Sequence, residues 1–254
     1  LVDRKAMKKP GILFTFLLLL SGCVTSGDVL PMQTAEGRSQ VRGAYIELAK
    51  GYLREGMTAQ AKPPLQKVLE MNSRDQEALE IFGLVFWREV EMDLADDYFR
   101  RALAIKRETR TLNNYASFLY DRGEFQRAFD YYEAAAADVM YQNRAAVFER
   151  LGMTANRLER DDAQSYFERA IRIDYFRPVS LLELGVISYD KQNYVVAQQY
   201  YESYLDIAEH NARSLLLGAR LARIFGDRDK AASLGLQLKQ LYPSSEEYQA
   251  FIRE

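Results

Sequence analysis

Large apolar residues stand beside small ones at regular intervals along most of this chain. The clearest stretch runs Leu79, Phe82-Gly83 and Phe86, then Ala95, Phe99 and Ala102, with mostly polar residues between. Apolar positions three and four apart make one face of a helix. Two such faces separated by a short polar gap predict a helix, a tight turn and a second helix packed on the first. The small residues Gly83, Ala95 and Ala102 let the two backbones approach closely.

The pattern recurs. The small residue of the first helix falls at Ala49, Gly83, Ala116, Gly152, Gly185 and Gly218, with spacings of 34, 33, 36, 33 and 33 by subtraction. The first small residue of the second helix falls at Ala61, Ala95, Ala128, Ala163, Ala197 and Ala231, with spacings of 34, 33, 35, 34 and 34. Aromatic or leucine residues keep step: Leu65, Phe99, Tyr132, Phe167 and Tyr201 each lie four after the second small residue. The sixth copy has Gly235 there, so Leu234 and Leu238 must supply its contact. Two registers with a shared period of about 34 residues resemble the tetratricopeptide repeat, a helix–turn–helix unit. One unit cannot bury its own apolar face, so the resemblance implies an all-α, right-handed superhelical solenoid of six repeats.

The repeats predict particular elements. The first copy should have helices over residues 45–54 and 58–71, with Thr58 as N-cap. Pro63 and Pro64 then fall just past the first turn, where a kink or a later helix start is expected. A longer loop is expected over residues 138–143, and a turn one residue short over 159–162. Pro178 opens the fifth repeat. The tail from residue 244 reads as a capping helix, with Ser245 as N-cap and Tyr248 and Phe251 covering the last repeat.

The N-terminus follows a different pattern. Lys8 and Lys9 precede a nine-residue run, 12–20, that is apolar except for Thr15. This suits a signal-peptide core and is short of the roughly 20 residues that span a bilayer. The run ends at Leu20-Ser21-Gly22-Cys23 and contains the single Cys of the chain. The tetrapeptide resembles a bacterial lipobox, which implies cleavage before Cys23 and acyl chains on it. Several acyl chains give stable anchoring where one is marginal. Val24 follows, and by resemblance to lipoprotein sorting the absence of Asp there implies the outer membrane. The division is therefore residues 1–22 signal peptide, 23–40 lipidated Cys and flexible tether, and 41–254 six repeats with a C-terminal cap.

Composition changes little in this picture. The net charge of −2 and 28% charged residues give no basic excess for nucleic acid. One Cys excludes a disulfide framework within the chain. His210, the single His, sits in a polar loop and reads as solvated. The pairs Asp96-Asp97 and Asp161-Asp162 fall in helix turns or first turns, where negative charge suits the helix dipole. No catalytic triad, zinc spacing or phosphate loop is present in the sequence. The expectation is a protein with no enzymatic activity, no metal, no cofactor and no small-molecule substrate.

Binding is the remaining role. By resemblance to the repeat family, the first helices line a concave face. Counting from the signature positions puts Ile46, Lys50, Leu53, Arg54, Leu84, Trp87, Arg88, Asn113, Ser117 and Tyr120 on it. Ile46, Leu53, Leu84 and Trp87 are apolar where a solvated groove should be polar. They mark either a partner's docking site or a face covered by the chain itself.

Other segments carry a narrower resemblance: Leu112-Asn113-Asn114-Tyr115, Tyr194-Val195-Val196-Ala197, and above all Asn211-Ala212-Arg213-Ser214-Leu215-Leu216-Leu217-Gly218. Together with the lipobox and six repeats, the chain resembles the type IV pilus biogenesis lipoproteins of the PilW/PilF kind, the pilotins. That resemblance implies a non-enzymatic partner of the pilus secretin subunit. Such a partner is lipid-anchored at Cys23 in the outer membrane of a Gram-negative bacterium and faces the periplasm. It guides the secretin to that membrane and promotes its multimerisation. A scaffold for periplasmic cell-wall enzymes is the other reading.

Overall fold

The computed structural model describes residues 33–254, which form thirteen α-helices, with no strand among the described residues. They are α1 Ala35–Arg54, α2 Thr58–Met71, α3 Gln76–Arg88, α4 Met92–Ile105, α5 Thr109–Asp121, α6 Phe125–Ala136 and α7 Arg144–Arg157. Then follow α8 Ala163–Ile173, α9 Pro178–Asp190, α10 Tyr194–Leu205, α11 Ala212–Ile224, α12 Arg228–Leu241 and α13 Glu246–Arg253. Consecutive pairs from α1–α2 to α11–α12 pack as six hairpins, and each second helix also packs on the first helix that follows. The result is the expected all-α solenoid. No helix among the described residues is long and apolar enough to cross a membrane.

The small residues do what the spacing predicts. A Cβ on Gly83 would lie 2.9 Å from the Phe99 ring, and one on Gly152 would lie 2.7 Å from the Phe167 ring. Both rings are fully buried. Each aromatic therefore sits flat on the backbone of the partner helix, in space that a methyl group would fill. Burying such a side chain stabilises the hairpin by about 2 kcal/mol.

Four expectations need correction. The signal segment and Cys23 lie outside the described residues, but the end of the tether does not. Residues 35–40 are helical, and α1 runs back to a Thr34 cap whose side chain accepts from the Gly37 N–H. This first turn lacks the repeat's apolar signature, so periodicity alone stopped α1 at residue 45. In α2 the N-cap position is Met57, not Thr58. The helix starts where the repeat requires and runs through both prolines, with exposed Pro63 and buried Pro64. The turn of the fourth repeat is longer than its neighbours: residues 158–162 separate α7 from α8, against three residues in each other hairpin. Helix α8 begins at Ala163 itself, so its first turn is missing. In the sixth repeat the small residue in register is Ala219, not Gly218. Ala219 stands seven before the positive-φ residue Gly226, as Gly83 stands before Val90 and Gly185 before Gln192. Gly218 lies instead against the Tyr201 hydroxyl of α10, in the preceding repeat.

The cap holds as expected. Ser245 accepts from the Tyr248 N–H, and Phe251 of α13 lies on Gly235 of α12.

Candidate partner-binding groove

Three first helices, α1, α3 and α5, carry the N-terminal part of the inner face. They enclose an open concavity of about 240 Å³ lined by Lys50, Leu53, Arg54, Glu80, Ile81, Leu84, Arg88, Arg110 and Asn114. Five of the predicted groove residues meet there: Lys50, Leu53, Arg54, Leu84 and Arg88. The other five go elsewhere. Ile46 is 2% exposed and belongs to the core with Ala49, Leu65 and Ile81. Trp87 packs edge-on against Phe118 at 6.0 Å and joins the core of the next repeat. Tyr120 stacks edge-on against Phe125 at 5.2 Å, and its hydroxyl accepts from Arg157 at 3.4 Å. Asn113 lines a neighbouring concavity with Arg110, Asn114, Asp138 and Gln142. Ser117, also expected on the inner face, is buried and receives the Tyr132 hydroxyl.

The correction for Ile46 has a geometric cause. Ile46 stands three before Ala49, as Glu80 stands three before Gly83 and Glu149 three before Gly152. This position faces the next first helix: Ile46 is enclosed there, while Glu80, equally buried, also borders the concavity. Glu80, 1% exposed, accepts from Arg110 at 3.0 Å, from Asn114 Nδ2 at 2.8 Å and from the Thr111 hydroxyl at 2.8 Å. Glu149 repeats the arrangement two copies on, with Arg177 and with the N–H and hydroxyl of Ser180. Both Glu-to-hydroxyl pairs are 31 residues apart. A buried carboxylate is tolerated only with its hydrogen bonds made, and here the next repeat supplies them. Sequence reasoning missed Glu80, Ile81 and Arg110; the repeated spacing of 31 was the signal that could have found the first.

Charge shapes the rim. Glu77 bonds Arg42 at 2.9 Å and Lys50 at 2.8 Å, and lies 3.5 Å from Arg110. Burial opposes its ionisation, but the bonds from Lys50 and Arg42 outweigh burial and hold its carboxyl below the ordinary carboxylate range. Arg42 also grips Asp75, the N-cap of α3, at 2.6 Å. Helix α1 is thus fastened to α3 by charge as well as by its apolar face.

Other candidate residues take structural places. Asp96 accepts from the buried Tyr115 hydroxyl at 2.7 Å, and Asp162 pairs with Arg160 at 2.9 Å. His210, expected in solvent, is half-buried with Nδ1 3.3 Å from the Ser214 hydroxyl, and burial lowers its pKa.

These features have relatives. The tetratricopeptide repeat model matches residues 46–110 and 155–212. The type IV pilus assembly protein PilF of Pseudomonas aeruginosa is 44% identical over 248 residues, covering 97% of this chain and 98% of its own. The solved structure of Pseudomonas aeruginosa PilF superposes with a TM-score of 0.81 over 85% of this chain and 99% of that one. PilW, a widely conserved type IV pilus biogenesis factor, superposes with a TM-score of 0.69 at 25% identity, over 84% and 99% of the two chains. With near-complete coverage at that identity, and a closely superposing fold, this chain belongs to the PilF family of tetratricopeptide repeat proteins.

Proposed function

We propose that this protein is a pilotin of type IV pilus biogenesis, anchored through acyl chains on Cys23 to the periplasmic side of the outer membrane. Its N-terminal groove binds the pilus secretin subunit, so that the secretin travels with the lipoprotein and multimerises at the outer membrane. The role is binding, with no catalysis. One observation carries the site: half-buried Leu84, with the buried Leu53 and Ile81 beside it, forms the apolar floor of a concavity between α1, α3 and α5 under a cationic rim. Similarity over nearly the whole chain to a type IV pilus assembly protein supports the pathway.

The test is capture from membrane extract by the mature chain, as wild type and as Leu84→Glu, a change at the half-buried residue of the floor. Wild type is expected to recover the secretin and the variant to lose it, with an unchanged helical spectrum. Secretin recovered equally by both moves the site elsewhere. Recovery of cell-wall enzymes in its place removes the pilotin reading. For the anchor, Cys23→Ala should leave the secretin in the inner membrane while the repeats still fold.

A further inference from the structure

Successive hairpins are joined at one edge of the stack, and α1 begins at that same edge. Arg42 of α1 reaches Asp75 at the start of α3, Gln76 reaches Thr111 at the start of α5, and Thr109 reaches Asp138 in the next joining loop, each at 2.6 Å. Glu149 of α7 then meets Ser180 at the start of α9 at 2.9 Å. The joining loops therefore follow one another in a row. Helix α1 runs seven residues past the level of Arg42, back to Ala35, about 10 Å at the rise of a helix. The chain toward Cys23 thus leaves the fold beyond this edge. Ten peptide steps separate Cys23 from Gln33 by subtraction, and they span at most about 36 Å.

The loops of this edge repeat one turn. Asn72 Oδ1 accepts from the Arg74 N–H at 3.1 Å, Asp138 Oδ1 from the Met140 N–H at 3.0 Å, and Asp174 Oδ1 from the Phe176 N–H at 3.0 Å. Each turn engages its own side-chain oxygen and exposes the two side chains that follow. In the first loop these are Ser73 and Arg74, and in the second the exposed cation Arg107 stands at the same edge. In the third they are Val139 and Met140, and in the fourth Tyr175 and Phe176. Met140 at 84% and Phe176 at 73% are more exposed than any other large apolar side chain among the described residues. The turn does not require apolar residues, since its first copy carries Ser73 and Arg74. The opposite edge, where each hairpin turns, also exposes Val90, Val195 and Phe225, but the tether does not leave from there.

Apolar and aromatic side chains beside cations suit the interface of an anionic bilayer. A surface tethered close to the lipid meets it at high effective concentration, so a modest patch is enough. We propose that the joining edge lies on the anionic phospholipid surface of the membrane that holds the anchor. Val139, Met140, Tyr175 and Phe176 enter the headgroup layer, and Arg74 and Arg107 stand over its phosphates. A tether alone leaves the stack free to tumble; this contact fixes which edge faces the lipid. The inference goes beyond the pilotin reading and rests on its acyl anchor.

The test uses the acylated mature chain in vesicles of phosphatidylethanolamine and phosphatidylglycerol with brominated acyl chains, which quench tryptophan on contact. Phe176→Trp is expected to lose about half of its added emission relative to unbrominated vesicles, as an aromatic in the interface should. Val195→Trp on the opposite edge and the wild type, with Trp87 alone, should lose none. Phosphatidylcholine in place of phosphatidylglycerol, or Arg74→Glu with Arg107→Glu, should weaken the quenching of Phe176→Trp about twofold or more. All the substituted side chains are exposed, and an unchanged helical spectrum checks the fold. No quenching of Phe176→Trp, equal quenching of Val195→Trp, or indifference to both charge changes would each overturn the proposal. The mass of the N-terminal peptide separates it from the anchor. An acylated protein without quenching overturns the edge contact and leaves the anchor, whereas Cys23 without acyl chains removes both. Secretin captured from detergent extract by the wild type and lost in Met140→Ser with Phe176→Ser would assign the patch to a protein partner and overturn the lipid.

Discussion

One backbone position recurs in every hairpin. Two residues after each first helix the chain takes a positive φ, at Gly56, Val90, Gly123, Glu159, Gln192 and Gly226. Three copies use glycine and three do not. Val90 is the most strained, because a β-branched side chain in the left-handed region costs about 1–2 kcal/mol. It is 71% exposed, so its side chain contributes little packing in return. Val90→Gly should therefore stabilise the protein. After the roughly 0.5–1 kcal/mol of added chain entropy in the unfolded state, the net gain is about 0.5–1 kcal/mol. A urea titration should show a higher midpoint at unchanged slope. Gly123→Val is the converse: a Cβ there meets open space, so any loss is backbone strain alone. This turn position was not legible, because valine, glutamate and glutamine do not announce a positive φ. It is nevertheless what settles the sixth repeat. Gly218 and Ala219 are both small, so spacing could choose either, and only the distance to Gly226 selects Ala219.

Between elements, charge adds to what the apolar faces fasten. Glu77 of α3 holds Arg42 and Lys50 of α1, and faces Arg110 of α5. Its folded pKa lies below its ordinary value of 4.5. A depressed carboxylate contributes stability that is fully present above the unfolded pKa and is lost as pH falls through the folded one. Docking of α1 should accordingly weaken below about pH 4.5, before the glycine–aromatic contacts of the hairpins are affected. Hydrogen-exchange protection of α1 amides, followed from neutral to acid pH, should fall in that window in the wild type and fall less in Glu77→Gln. Equal profiles would show that Glu77 does not fasten α1. The periodic apolar positions that build the hairpins were readable because each repeat must bury the same face. The inner face was only half readable. Five of the ten residues placed on the inner face line the concavity, and the misplacement of Ile46 arises from a position that faces the next first helix. In Glu80 and Glu149 that position carries a buried acid whose partners lie one repeat on. A count within one repeat cannot see that contact.

A stack of repeats has two ends, and here the C-terminal one is closed by α13. It lies against α11 and α12 where the first helix of a further repeat would stand. Phe251 covers Gly235, and Tyr248, Ala250 and Phe251 pack on a cluster that includes Leu216, Leu234 and Leu238. Arg220 and Arg223 of α11 meet Glu254 just beyond α13, at its edge. The Gly235 departure noted in the sequence thus has a reason: the ring that the second to fifth repeats supply from their own second helix is supplied here by the cap. Stability in such a stack is a sum of repeat and nearest-neighbour terms. Removing residues 244–254 should therefore lower the local stability of α11 and α12 by about 2–3 kcal/mol, the burial of one large aromatic ring and its neighbours. Exchange protection in α1 to α6 should stay as it is. Phe251→Ala should show an intermediate loss confined to the same two helices. A uniform loss of protection in all six hairpins would instead mean that the solenoid unfolds as one unit. A loss confined to the C-terminal end would leave the N-terminal concavity intact in the truncated protein, so capture of the groove's partner should match that of the full chain.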